Sequence, residues 1–348
     1  MDSIVECVPN ISEGRDIAKI ERIVDAARNI VGCAVLGVEP DKDYNRTVIT
    51  IAGEPQSVQQ AAQELILKAI EEIDMTTHSG EHPRLGAVDV CPFVPLEGVT
   101  MDECVELARS LAERVASSAQ VPVFVYGEAA FNKEKALLST IRKGEYEGLE
   151  ERLSKGASSH PDSTRYPDFG PNEWNSNAAR SGGITIGARG ILVAYNVNVM
   201  EKDAHVSKKI GSLVRSSGRL IKHQDGRKMR IPGMLTMVQG MGVTLEAHSM
   251  SQVSMNLRDV NKCPMHVAFE TCKSIASDHG VEVIGSELVG LVPLQAMLVA
   301  GQWYANEGES DEFRLVDAAI EGLGLRQIDD FVPEQRIIEW AVKKAVGQ

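Results

Sequence analysis

No apolar run in the 348-residue chain approaches the ~18 residues that a membrane-spanning helix needs. The first residues, MDSIVECVPN, contain Asp2 and Glu6 and no basic cluster, so they do not read as a signal peptide. The six cysteines (Cys7, Cys33, Cys91, Cys104, Cys263, Cys272) form no C-x-x-C pair. Several sit in apolar segments, and they read as buried, reduced thiols of a cytoplasmic protein. G-x-S-x-G and G-x-x-x-x-G-K-[ST] do not occur, which leaves serine-nucleophile and phosphate-loop chemistry without a signature. GMGVTL (240–245) starts like a dinucleotide fingerprint but lacks its third glycine and follows the wrong element. Positive charge is also short. The formal net charge of −13 argues against nucleic acid as the main partner, while leaving room for an anion in a local basic pocket.

What is present describes a globular protein. Hydrophobic residues are 43% and charged residues 24% of the chain, and its length suffices for two domains with their own cores. Strand and helix patterns alternate. Strands are expected at 4–9, 33–39, 46–53, 87–94 and 121–127, with helices at 15–30, 54–73 and 100–119 between them. A Pro-, Gly-, Ser- and Asn-rich stretch at 159–190 reads as a long functional loop and a domain border. The alternation then resumes, with strands at 191–199, 234–246, 252–260 and 281–290 and helices at 203–218, 266–280 and 294–305. The expected fold is α/β (α+β), two β-α-β-β-α-β-type subdomains with mixed sheets. Borders are expected at 1–183 and 184–305, followed by a helical C-terminal extension over 306–348.

The stretch THSGEHPRLGAVDVCPFVPL (77–96) poses the chemical question. HSGEH (78–82) fits H-x-x-E-H, a zinc pattern that needs both histidines on one helix face. Ser79-Gly80 is a poor helix former, and Pro83 drives His82 toward an extended conformation. A histidine on an extended loop entering a strand suits proton transfer near neutral pH instead. Arg84 lies on the same side of such a chain, either to bind a carboxylate or to pair with Glu81.

Several segments in order resemble the glutamate formiminotransferase family: ECVPNISEG (6–14), YNRTV (44–48), SGEHPRLGAVDVCPFVP (79–95), PVFVYGEAA (122–130), PDFGP (167–171), GAR (187–189), LVAYNVNV (192–199), ETC (270–272) and SELVGLVPLQAML (286–298). The similarity spans about residues 4 to 305. It implies transfer of a formimino group from N-formimino-L-glutamate to N5 of tetrahydrofolate, as in histidine degradation, with the folate held between the two subdomains and no metal. It also implies a homodimer. His82 then matches the family's catalytic histidine. Glu39 matches an acidic partner that is Asp in other members, one methylene shorter; the bland reading is that Glu39 merely ends a strand. Asp168, Gly170, Pro171, Asn172, Glu173, Trp174 and Gly182 fall in the folate-binding stretch, where Trp174 either stacks on the ligand or caps a core edge. Arg46, Arg84 and Arg189 are carboxylate-binding candidates. A glutamate formyltransferase using 5-formyltetrahydrofolate, or a folate-binding protein without turnover, are the alternatives. Finally, residues 208–230 hold eight basic residues (Lys208, Lys209, Arg215, Arg219, Lys222, Arg227, Lys228, Arg230) against Asp225. This stretch either holds the anionic tail of a polyglutamylated folate, on a flexible loop, or is a solvated face.

Overall fold

The computed structural model describes residues 3–42, 44–80, 83–154, 162–223, 225–245, 249–328 and 330–347. The chain divides into two compact units, Met1–Arg189 with Val342–Gln348, and Gly190–Ala341.

The first unit opens with β1 (Val5–Cys7) and β2 (Asn10–Ile11), two pieces of strand interrupted at Pro9, which has no N–H to give a ladder. Helix α1 (Ile17–Arg28) follows; the Asp16 side chain accepts from Lys19 N, and Ile20, Ile23, Val24 and Ala27 are buried. Then come β3 (Cys33–Asp41), β4 (Arg46–Gly53), α2 (Pro55–Glu72), β5 (Val88–Pro95), α3 (Met101–Ala119) and β6 (Val123–Gly127). Thr100 and Glu103 cap α3 reciprocally. Three short helices, α4 (Leu138–Ile141), α5 (Leu149–Ser154) and α6 (Ser176–Ser181), precede β7 (Ile184–Ala188).

These strands form one sheet in the order β3, β4, then β1 and β2, then β5, β7 and β6. The strands from β3 to β5 make antiparallel ladders in the split βαβ order that the alternation predicts. Beyond them, β7 pairs parallel with both β5 and β6. The expected border at 183/184 is thus displaced. β7 does not open the second subdomain; it sits inside the first sheet, and the 159–190 stretch is not wholly a loop. All five of its residues are buried, so it lacks the alternation that marks a half-exposed strand. Residues of α1, α2 and α3 pack with Cys7, Ile11, Ile49, Ile51, Cys91 and Phe93 into one core. All six cysteines are buried and free; burial pushes the Cys7 thiol well up, its contact with Cys91 adding to the effect.

The second unit contains β8 (Val193–Val199), α7 (His205–Val214), β9 (Arg219–Lys222), β10 (Lys228–Ile231), β11 (Val238–Leu245), β12 (Met250–Leu257), α8 (Met265–Asp278) and β13 (Val283–Val289). Its four-stranded sheet runs β11, β12, β8, β13, antiparallel throughout. That is again the split βαβ order, with one insertion. The segment expected as a flexible loop at 218–229 contributes to a hairpin, β9 with β10, turning at Asp225-Gly226 with Gly226 at φ +85°. It was hidden because nearly every residue in it is exposed, so no apolar alternation marks it. Helices α9 (Leu294–Tyr304), α10 (Glu312–Leu323), α11 (Pro333–Arg336) and α12 (Ile338–Ala345) complete the chain. The tail is no separate extension. Val316, Ala319, Ile320, Leu323, Phe331 and Ile337 belong to the same buried core as Tyr195, Val197 and Met255. At Gly301 of α9 a Cβ would stand 2.0 Å from Leu315 O of α10, so glycine is what lets the two helices touch there.

Candidate active site

In the β3–β4 hairpin, Thr47, Ile49 and Ile51 point into the core, so Arg46 and Val48 face the other way. Glu39 pairs with Val48, and Val48 pairs with Asn10. Opposed residues share a face, so Glu39, Val48 and Asn10 form a row across three strands beside Arg46. A small cleft opens on this side, lined by Asn10, Ile11, Ser12, Tyr44, Asn45, Arg46, His78, Arg84 and Asp89. Glu39 is exposed and outside this lining, on the same face of the sheet. Burial lowers the pKa of Arg46; Asp89 opposes that and Arg142 adds to it.

His82 and Glu81 lie outside the described residues. The chain on both sides of them is tightly held. Asn45, at φ +50°, accepts from Gly14 N through Oδ1 (2.9 Å) and donates from Nδ2 to Ser79 O (2.8 Å). Gly80 runs so close to Tyr44 that a Cβ would come within 2.4 Å of the Tyr44 carbonyl oxygen. His78 Nε2 lies 3.0 Å from Asn45 O, and its Nδ1 lies 3.2 Å from Arg84 Nε. Arginine is only a donor, so Nδ1 must offer its lone pair and the ring proton sits on Nε2. His78 is therefore held neutral in one tautomer. Burial lowers its pKa, the Asn45 carbonyl opposes this, and the Arg84 charge reinforces the lowering. The contact is a clasp that joins residues 78 and 84, which lie on either side of His82 in the chain. Residues 78–80 carry no helix, so the first part of H-x-x-E-H does not present the helical face that the zinc pattern requires.

Arg84 spends most of its fork on protein carboxylates: Nη1 to Glu147 (3.0 Å) and Glu145 (3.4 Å), Nη2 to Glu147 (2.6 Å). Burial works to raise the Glu147 carboxyl, but Arg84, a backbone hydrogen bond and His78 together outweigh it and the net shift is downward. Arg189 follows β7, its backbone N–H donating to Phe93 O at 3.0 Å, and does not line the cleft.

The PDFGP segment has a structural task. Asp168 Oδ2 accepts from Val125 N (2.8 Å), and Oδ1 accepts from Lys135 Nζ (2.7 Å), which also donates to Tyr166 O (2.8 Å). Phe169 bridges to Val123. Since β6 ends the sheet, residues 168–169 cap its open edge. Gly170 is at φ +81°, where a Cβ would meet Val121 O at 2.2 Å. Gly182, at φ +71°, bridges to Gly86. Trp174 packs on the cluster of Leu85, Phe124, Leu149 and Ala178, its ring centre 6.2 Å from that of Tyr146. Pro171 is half-buried, and Asn172 and Glu173 are exposed.

Sequence reasoning missed Asp89. It is 3% exposed near the start of β5, faces the Arg142 guanidinium with both oxygens, and accepts from Leu85 N at 3.1 Å. Burial pushes its carboxyl up against the pull of Arg142. A lone carboxylate inside an apolar strand was the available signal. Lys135 carried none, while His78 and Asn45 lay inside motifs already singled out without a role of their own. Among the described residues, no group of three or more His, Cys, Asp or Glu side chains is gathered as for a metal ion.

Two family models match, "Formiminotransferase domain, N-terminal subdomain" over residues 4–189 and "Formiminotransferase domain" over residues 194–343. The second takes in the tail as far as residue 343. The chain is 41% identical to the formimidoyltransferase-cyclodeaminase of Dictyostelium discoideum over 99% of its own length and 61% of that protein. It is 40% identical to the Mus musculus protein of the same name, over 98% and 60%. It therefore spans about three fifths of these bifunctional relatives. With the glutamate formimidoyltransferase of Streptococcus pyogenes serotype M1 it shares 39% identity over 89% of this chain and 96% of that one. The chain belongs to the formiminotransferase family.

Proposed function

We propose that the protein transfers the formimino group of N-formimino-L-glutamate to N5 of tetrahydrofolate, releasing L-glutamate. The near full-length match to a stand-alone relative named glutamate formimidoyltransferase carries this reading. N5 attacks the formimino carbon, a tetrahedral intermediate forms, and the glutamate nitrogen leaves. N5 must lose a proton and the leaving nitrogen must gain one. His82 is placed by this reading to do both in turn, with Glu39 as its acidic partner. The neutral, doubly engaged His78 is then not the base, since its one lone pair is taken by Arg84. Arg46, lining the cleft, is the arginine best placed for a substrate carboxylate.

The test is His82→Ala. It should keep folate binding within a few fold and lose roughly 10² to 10⁴ in kcat. Unchanged kcat would remove His82 from the mechanism, and folate binding without turnover in the wild type would make this a binding protein. Offering formiminoglutamate, and separately 5-formyltetrahydrofolate with glutamate, and measuring initial rates separates the reaction from formyl transfer. In this reading the protein is a cytoplasmic homodimer that needs no metal. One zinc per chain by elemental analysis, or a sole sedimenting species at 37.8 kDa, would remove those parts.

A further inference from the structure

Two of the motifs behind the family resemblance, LVAYNVNV and SELVGLVP, have no part in the mechanism above, and they meet on one sheet. Along β8, Val193, Tyr195, Val197 and Val199 enter the core of the second unit, so Ala194, Asn196 and Asn198 lie on the opposite face. The register sets Glu287 of β13 and Ser254 of β12 beside Asn196, and Gln252 of β12 beside Asn198. Asparagine is disfavoured in strands, yet this inner strand carries two. β8, β12 and β13 contain no Lys or Arg, the residues that a merely solvated face would be expected to show.

The hydrogen bonds have a direction. A carboxylate can only accept, and Glu287 Oε2 takes Gln252 Nε2 at 2.9 Å and Asn196 Nδ2 at 3.4 Å. Both amides are thereby turned with NH2 toward Glu287. Gln252 Nε2 also donates to Asn198 Oδ1 (2.8 Å), Asn198 Nδ2 to Gln327 Oε1 (2.7 Å), and Asn196 Nδ2 to Gln252 Oε1 (3.3 Å). The inner members, Asn198 and Gln252, are 0% and 3% exposed; Asn196 and Glu287 are half-buried. At the open end two atoms have no protein donor among the described residues, Glu287 Oε1 and Asn196 Oδ1. Both are acceptors. A ligand on this face must bring hydrogen-bond donors.

We infer that this face takes the 2-aminolactam edge of the folate, the pterin N3–H and 2-amino group, with Glu287 and Asn196 as acceptors. The inference rests on the reaction proposed above. Adjacent N–H groups of a 2-aminolactam match a carboxylate oxygen beside an amide oxygen. The formimino group also has N–H donors, but they belong to the reacting centre.

Glu287→Gln keeps the size and shape of the side chain and removes the charge. Titration calorimetry would measure tetrahydrofolate and formiminoglutamate against the wild type and the variant. The expected result is a loss of about 10- to 100-fold for tetrahydrofolate. Formiminoglutamate should stay within about twofold, which also shows that the variant is folded. Asn196→Leu should give a smaller loss with the same selectivity. Equal losses for both ligands, no loss for either, or a loss for formiminoglutamate alone overturns the inference. A wild type that does not bind tetrahydrofolate overturns the functional reading and this one with it, whereas tetrahydrofolate binding that survives Glu287→Gln overturns only this one. GMP carries the same edge on guanine; Glu287-dependent binding of GMP that is tighter than that of tetrahydrofolate would overturn the pterin as the occupant.

Discussion

His78 titrates in the unfolded chain near the usual ~6.5 and lower when folded. Between those two values the unfolded chain holds the proton and the folded one does not, so stability is lost as pH falls. The contribution is complete above the unfolded value and disappears as pH drops through the folded one. The charged and titratable groups acting on the ring include Arg84, Glu13, Arg15 and Glu147. In His78→Gln the amide can accept from Arg84 and donate to Asn45 without titrating. Urea midpoints from about pH 7.5 down to about pH 5 should therefore fall more steeply for the wild type than for the variant; parallel slopes would show that the clasp does not depend on a neutral ring. Glu39 allows a sharper trial. Glu39→Gln should lower kcat by roughly 10² to 10⁴ with KM little changed, and Glu39→Asp, which keeps the carboxylate one methylene shorter, should retain most of the activity. A residue that only ends a strand would leave kcat alone in both. Arg84 stood out by its place beside His82, and it does line the cleft; His82 and Glu39 stood out by resemblance alone, and their roles belong to the proposal. The partners of Arg84 did not stand out, because Glu145 and Glu147 lie some sixty residues further along the chain, and no local spacing encodes such a meeting.

Elements were legible where one face is buried and the other is not. The strand expected at 46–53 is β4 to the residue, and α3 begins one residue after its expected start at Thr100. Two kinds of element escaped: β7, buried on both faces, and the hairpin of β9 and β10, buried on neither. The edge cap at 168–169 escaped too, since PDFGP reads as a ligand loop whichever task it has. The two tasks are separable. Asp168→Ala strands the Lys135 ammonium, 5% exposed, beside an unpaired Val125 N–H, and should cost roughly 3–5 kcal/mol. Gly170→Ala, at its positive φ, should cost about 1 kcal/mol or more. Asn172→Ala and Glu173→Ala, both exposed, should leave urea midpoints unchanged. If the stretch also contacts folate, these last two will alter the folate Kd. If they alter neither quantity, the segment is an edge cap and nothing more.

For the whole molecule, a net charge of −13 stands against the anionic substrates of the proposed reaction. The basic stretch concentrates the exception. In the hairpin Lys228 is directly opposite Lys222, with Arg230 two residues along on the same side. Like charges so placed repel unless an anion lies against them. Arg227 is different, being tied to Asp225 at 2.6 Å. Lys222→Gln with Lys228→Gln should therefore weaken polyglutamylated tetrahydrofolate more than the monoglutamate, and the gap should close as salt rises. Equal losses, or none, would leave the hairpin a solvated surface. The parallel strand β7 has another consequence, in time. It separates β5 from β6 in the sheet but is made after both, with residues 128–183 intervening. On a ribosome adding about 5–20 residues per second, the slot between them stays empty for on the order of several seconds. A nascent chain that ends before Ile184 exposes two apolar strand edges with nothing to join them. Synthesis paused in that window is when this protein is most in need of a chaperone, and a truncation there should be soluble only while one holds it.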